Sequence, residues 1–374
     1  MAGAAGPPNR SVMTDLAPIR TRVADWLFDQ ALPLWAAQGV DDRGRFWEQL
    51  DFDGRPVRGV KRRTRVQARQ VYVFCEATAL GFEDGRTVAR AGLEALIATC
   101  RRDDGLWISA ADDAGAVVDP APDLYDMAFV LFALAAAHRV LGDAGTLPLA
   151  LQTLAAIDAR MAAPHGGWQE ALPARLPRRQ NPHMHLLEAM LAWQATAPDP
   201  AFEAAARESL RLSRAHFQVD GAIHEFFTAA WALDPETGHI VEPGHMEEWA
   251  WLLTQAERLG LDTAEAAPGL HRRAWDQGRS GGFLIREMDA DGRPVDAGRR
   301  LWAQTEGLRT ALLFDRDAAA DLTGRLFDTH LATETPGLWI DSYDAEGRPV
   351  DRTVPASTLY HLMTAFTALL ETGA

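Results

Sequence analysis

Cysteine is scarce. The chain has two in 374 residues, Cys75 and Cys100, each inside an apolar helical pattern, so a disulfide framework is excluded and both read as small core hydrophobes. Basic charge is also short: 37 Lys and Arg stand against 52 Asp and Glu, a net charge of −15, and no basic cluster stands apart from acidic neighbours. Such a surface repels phosphate backbones and anionic lipids, so neither a nucleic acid nor a membrane is an expected partner. No apolar run approaches the ~20 residues that cross a bilayer. The opening MAGAAGPPNRSVMTD lacks the charged and apolar regions of a signal peptide, and a cytoplasmic location is expected. G-x-S-x-G elbow, P-loop and strand-led G-x-G-x-x-G are all missing, which leaves serine hydrolase, nucleotide hydrolase and dinucleotide readings without support.

What is present is a repeat. An acidic residue followed by Gly-Arg-Pro-Val occurs at Gly54, Gly292 and Gly347, each time after a short alternating run with a large apolar residue, the pattern of a small β-hairpin. Three weaker copies fill the gaps. Aligned on the large residue, the anchors are Trp47, Trp107, Trp168, Ile223, Phe283 and Trp339, spaced by 60, 61, 55, 60 and 56 residues. A helical pattern with a polar face precedes each hairpin, and one that is more apolar all round follows it. Six helical hairpins either stack openly or close into a ring. An open solenoid needs polar caps, yet the last repeat is among the most regular, so an all-α (α/α)6 barrel is predicted. Residues 1–12 read as a flexible tail and 13–374 as one barrel domain.

Equal offsets from the anchors should lie at one height of the barrel. Counting forward gives Arg69 at +22, Asp126 at +19, His185 at +17, His245 at +22, Gln304 and Glu306 at +21 and +23, and His361 at +22. Polar groups that would be costly in an apolar core thus recur near the start of every inner helix, which describes a pocket on the barrel axis. His183 fits a structural role beside the helix start at Asn181 and Pro182. His245 and Glu248 form an i, i+3 pair, either a plain helix contact or a base with its orienting carboxylate. Tyr125, Asn181, Trp249 and Trp302 adjoin the ring and are expected to line the pocket, as is Tyr360. The anchors themselves read as packing residues.

The carboxylates Asp126, Glu248 and Glu306 keep a glycosidase open. His185, His245, Glu248 and His361 are legitimate metal ligands, but on separate helices they offer no spacing to check. Several imidazoles with an arginine suit proton abstraction beside a carbonyl: a neutral imidazole removes the hydrogen on carbon 2 of an open-chain aldose, and a guanidinium stabilises the enediolate.

Four ordered segments, QNPHMHLLEA (180–189), GHMEEWAWLL (244–253), RRLWAQTEG (299–307) and STLYHL (357–362), resemble the N-acylglucosamine 2-epimerase superfamily, and QARQVYVF (67–74) resembles the segment carrying its active-site arginine. That superfamily comprises metal-independent (α/α)6 barrels, among them mannose isomerases, sulfoquinovose isomerases and cellobiose 2-epimerases. The resemblance implies that His361 is the acid/base at carbon 2, that His245 is its partner in ring opening and proton movement, and that Glu248 orients the system. It further implies that Arg69 contacts substrate oxygens, that His185 binds the sugar, and that Trp302, Gln304 and Glu306 line the pocket, with no metal and no cofactor. Leu301 before Trp302, Ala303 where the cellobiose epimerases have proline, and Leu362 after His361 look closer to mannose isomerases. The expectation is therefore a D-mannose/D-fructose isomerase acting on a free monosaccharide, as monomer or homodimer. A 2-epimerase and a catalytically silent sugar-binding barrel are the alternatives. The longest hairpin, residues 226–239, is the expected lid.

Overall fold

The computed structural model describes residues 15–263 and 266–372. The expected tail, residues 1–12, lies outside the described residues. Outer helices α1 (Ala17–Trp26) and α2 (Leu32–Gln38) are joined by a π-helical turn, Leu27–Ala31, and run as one rod. Then α3 (Thr64–Ala79), α5 (Leu124–Leu141), α7 (Asn181–Thr196), α9 (Pro243–Arg258), α11 (Leu301–Phe314) and α13 (Ser357–Glu371) alternate with α4 (Gly85–Cys100), α6 (Thr146–Met161), α8 (Pro200–Leu212), α10 (Ala267–Gln277) and α12 (Arg316–Asp328). The odd-numbered helices from α3 onward pack side by side in chain order, and α13 returns to pack on α3. The ring is closed, as the repeat predicts.

Burial explains the two composition classes. Helix α8 buries Phe202, Ala205, Ala206, Ser209 and Leu210, an i, i+3, i+4 stripe typical of an outer helix. Helix α5 is buried nearly all round between α3 and α7. Its 18 residues are apolar and long enough to cross a membrane by that measure alone, longer than the sequence reading allowed, but here they form an inner wall. Asp123 caps its start, accepting from the Tyr125 amide, and Gly142 ends it in the left-handed conformation. Cys75 and Cys100 are buried and unpaired.

The recurrent glycine phrase resolves into an Asp-x-x-Gly turn. Asp51 Oδ1 accepts from the amides of Asp53 and Arg55 at 3.0 and 2.8 Å, and Asp289 and Asp344 repeat the pattern. The glycine takes a positive φ, 81° at Gly54 and 78° at Gly347, which a residue with a Cβ rarely adopts. The short strands also pair between neighbouring units. Strand β2 (Arg62–Arg63) joins β3 (Ala110–Ala111), and β1 (Gln49–Leu50) joins β16 (Val354–Pro355), tying the first unit to the last. All inner helices start at this belt, so their first turns share one mouth. The six anchors are buried under the hairpins.

Candidate active site

At that mouth the inner helices enclose a cavity of about 220 Å³ lined by Arg63, Arg65, Arg69, Tyr125, Asn181, His185, Glu242, His245, Glu248, Arg300, Trp302, Ser357, Thr358 and His361. Eight of the thirteen side chains expected there meet in it. The three histidines and Glu248 come from three different helices brought to one level by the repeat.

Each histidine leans on a carboxylate behind it. His361 Nδ1 lies 2.8 Å from Glu306 Oε1, and Glu306 is held by Arg309 at 3.1 Å. The tautomer that donates Nδ1–H to Glu306 leaves Nε2 as a base. Burial, then the charge of Arg69, pushes His361 well below the ordinary imidazole range, so it is neutral near pH 7. His185 Nδ1 lies 3.1 Å from Glu188, which also accepts from the Tyr360 hydroxyl; burial lowers His185 to about 4. His245 is the opposite case. Burial opposes its charge, but Glu225 at 2.9 Å and Glu242 at 3.6 Å outweigh it and raise the imidazole to about 10. Two imidazoles of contrasting basicity, a neutral base and a proton-bearing acid, therefore share one cavity.

Arg69 stands between α3 and α13, with NH1 on the Ser357 carbonyl at 3.2 Å and NH2 on the Tyr125 hydroxyl at 2.7 Å. Arg63, Arg65 and Arg300 are instead paired with Glu48, Asp126 and Asp341. The guanidinium of Arg69 is the one suited to a developing oxyanion.

Five expectations change. Glu248 does not hydrogen-bond to His245; the carboxylate that orients this imidazole is Glu225, from the loop before α9. Glu248 instead lies 3.7 Å from His185, and its own oxygens have no hydrogen-bond partner among the described residues. Burial, with Glu306 and Glu188 nearby, pushes it well above the usual carboxylate range, so it faces the cavity as a neutral acid. Asp126 is buried beneath the cavity and grips Arg65 at 2.6 Å. Gln304 clamps the backbone of Leu284, accepting from its amide and donating to its carbonyl, both at 2.8 Å. Trp249 is buried and donates to Gln180. Glu306 sits behind His361 and does not line the wall.

Asn181, placed by the sequence at a helix cap, is the first residue of α7 and turns its amide to His245 Nε2 at 3.0 Å. His183 keeps its structural role, accepting from the Trp168 amide. No residue of 226–239 lines the cavity; that hairpin is fastened outward, with Phe226 and Phe227 paired to Arg179 and Arg178 and the Trp231 indole bonded to Gly166. Glu225, Glu188, Glu242 and Arg309 escaped the sequence reading. Glu225 had a signal: it lies two residues after its anchor, the offset shared by Glu170 and Asp341.

Three donor sets, His185–Glu188–Glu248, Glu225–Glu242–His245 and Glu248–Glu306–His361, each bring their ligating atoms within 4.8 Å. In each the imidazole already gives Nδ1 to a carboxylate, so these pairs are ready for proton transfer without further rearrangement.

Residues 44–365 match the family of N-acylglucosamine 2-epimerases. The chain belongs to that family. Among its members, a mannose-6-phosphate isomerase of Rhizobium meliloti is 37% identical, with 92% of this chain and 94% of the relative aligned. A D-mannose isomerase of Thermobifida fusca is 30% identical over 74% of each chain. The solved cellobiose 2-epimerase of Spirochaeta thermophila superposes with a TM-score of 0.86 at 25% identity, covering 96% of this chain and 98% of its own. A solved D-mannose isomerase gives 0.84 at 20% identity over 96% and 98%. Family and fold are those that the ordered motifs imply.

Proposed function

We propose that this family member is an aldose–ketose isomerase that interconverts D-mannose and D-fructose without a metal or cofactor, using His361 and His245 as its acid–base pair. The observation that carries the reading is the contrast between a neutral His361 and a proton-bearing His245 around one cavity beside Arg69. His245 assists ring opening. His361 Nε2 then takes the proton from carbon 2, and the electron pair forms the carbon 1–carbon 2 double bond of an enediolate whose oxygens face Arg69. The hydroxyl proton moves from O2 to O1, and His361, whose captured proton exchanges with solvent, delivers a proton to carbon 1, which leaves a ketone at carbon 2 and calls for no outside oxidant or reductant. Glu248, as a neutral acid, hydrogen-bonds a sugar oxygen, and Trp302 lies against both imidazoles, 4.8 Å from His245 and 5.7 Å from His361 between ring centres. The 30% identical relative carries the name D-mannose isomerase, and the motif departures from cellobiose epimerases point the same way.

A second reading, a phosphorylated mannose, draws on the 37% identical relative and on Arg63, Arg65 and Arg300 in the wall. Each of these is already paired with a carboxylate, which favours the uncharged sugar. Initial rates with D-mannose and D-mannose 6-phosphate separate the two: a higher kcat/KM for mannose supports the proposal, a higher value for the phosphate replaces it, and turnover of neither supports a sugar-binding barrel.

A further inference from the structure

The barrel has a second opening. At the far end from the mouth, the C-terminal halves of α7, α9, α11 and α13 surround a separate cavity of about 590 Å³, larger than the front one and within the range that holds small organic ligands. Its walls are mainly apolar, with Phe132, Leu191, Trp251 and Leu312 among them. Three of its side chains carry buried polar atoms with no hydrogen-bond partner among the described residues: Glu188 Oε1, Gln255 Nε2 and Thr367 Oγ1. Buried polar atoms are ordinarily satisfied, and an acceptor and an amide donor both left bare in the wall of one cavity mark where ligand or solvent groups belong.

Electrostatics narrows the ligand. Arg309 lies 3.6 Å from Glu188 Oε1 and already balances its charge. An ammonium group approaching Glu188 would meet Arg309 and Arg258, and a carboxylate would meet Glu188 and Glu371, all lining the same cavity. A neutral hydroxyl suits both bare groups, since it can donate to an acceptor such as Glu188 Oε1 and accept from a donor such as the Gln255 amide, while an alkyl or aryl body covers the apolar wall.

We infer that the rear cavity is a second ligand site, for an uncharged alcohol with an apolar body, and that its occupant is felt in the front cavity through Glu188. The other oxygen of Glu188 holds His185 Nδ1 and the Tyr360 hydroxyl. A donor added at Oε1 draws charge from the carboxylate and weakens its hold on His185.

The test uses 3-phenylpropan-1-ol, with 3-phenylpropylammonium and 3-phenylpropanoate as charged counterparts, in isothermal titration. Expected is saturable binding of the alcohol that D-mannose does not displace, at least tenfold weaker binding of both ions, and a tenfold or greater loss in Ala368→Trp, which fills the cavity, and in Gln255→Leu, which removes the amide at little change in volume. The ¹⁵N resonances of the His185 ring should shift with alcohol in the wild type and not in either variant. Binding that persists in both variants, equal binding of the ions, displacement by mannose, or an unmoved His185 each overturns the inference. These readouts do not depend on turnover, so they stand apart from the isomerase proposal.

Discussion

At His245, two carboxylates and one amide set what the imidazole can do. Glu225 and Glu242 hold it protonated to about pH 10. The Asn181 nitrogen sits 3.0 Å from Nε2, and the Asn181 oxygen has no partner among the described residues. Turning the amide over lets the nitrogen serve the neutral ring and the oxygen serve the imidazolium, so both protonation states are satisfied. In the proposed mechanism His245 acts with its proton on, so kcat/KM should fall as pH rises through about 10. Glu225→Gln removes a charge that raises this imidazole, so the alkaline limb should move down by about one unit or more; a limb that stays in place in the pH–rate profile would detach it from His245. His361→Ala should lower kcat by about 10²- to 10⁴-fold with an unchanged circular dichroism spectrum, whereas substantial remaining turnover would assign the base elsewhere. The site histidines and Arg69 were legible because offset from a repeat anchor is a measure of height. The partner of His245 was not, because i, i+3 spacing on a helix made Glu248 look like a pair while the carboxylate comes from a loop residue of the same unit, Glu225, well before the helix begins. Asp126 and Gln304 share the height of the ring but point away from its axis, which offset does not report.

Among the elements, glutamines and acidic residues fasten the hairpins to the inner helices. Gln67 holds both backbone groups of Phe46, as Gln304 holds those of Leu284, and Glu48 and Glu170 accept from the amides of Arg63 and Arg179 next to α3 and α7. Gln304→Leu would strand a buried amide and carbonyl, each costing about 1–3 kcal/mol. Expected is a loss of roughly 2–4 kcal/mol in chemical unfolding with KM for mannose nearly unchanged; a large rise in KM at full stability would return Gln304 to the pocket. Helix positions were readable from periodicity and the hairpins from their Asp-Gly turns. Pairing of short strands between units was hidden, since two-residue strands carry no alternation to read.

Across the whole molecule, closure matters more than any single unit. The Gln70 amide donates to the Ala356 carbonyl at 2.7 Å and the Ala356 amide to the Glu48 carbonyl at 3.0 Å, so the last helix is sealed to the first units near Arg69. A closed ring should melt as one unit, with near- and far-ultraviolet circular dichroism giving coincident transitions; two separated transitions would show that parts of the ring fold independently. Closure is also what carries His361, on α13, to within reach of Arg69 on α3, and so connects architecture to chemistry. The most direct test of the chemistry is to dialyse the protein against EDTA, supply D-mannose in heavy water and follow the products by NMR. Expected is undiminished formation of D-fructose carrying deuterium at carbon 1. Glucose deuterated at carbon 2 without fructose, or turnover lost with the chelator, would contradict a metal-free aldose–ketose isomerase.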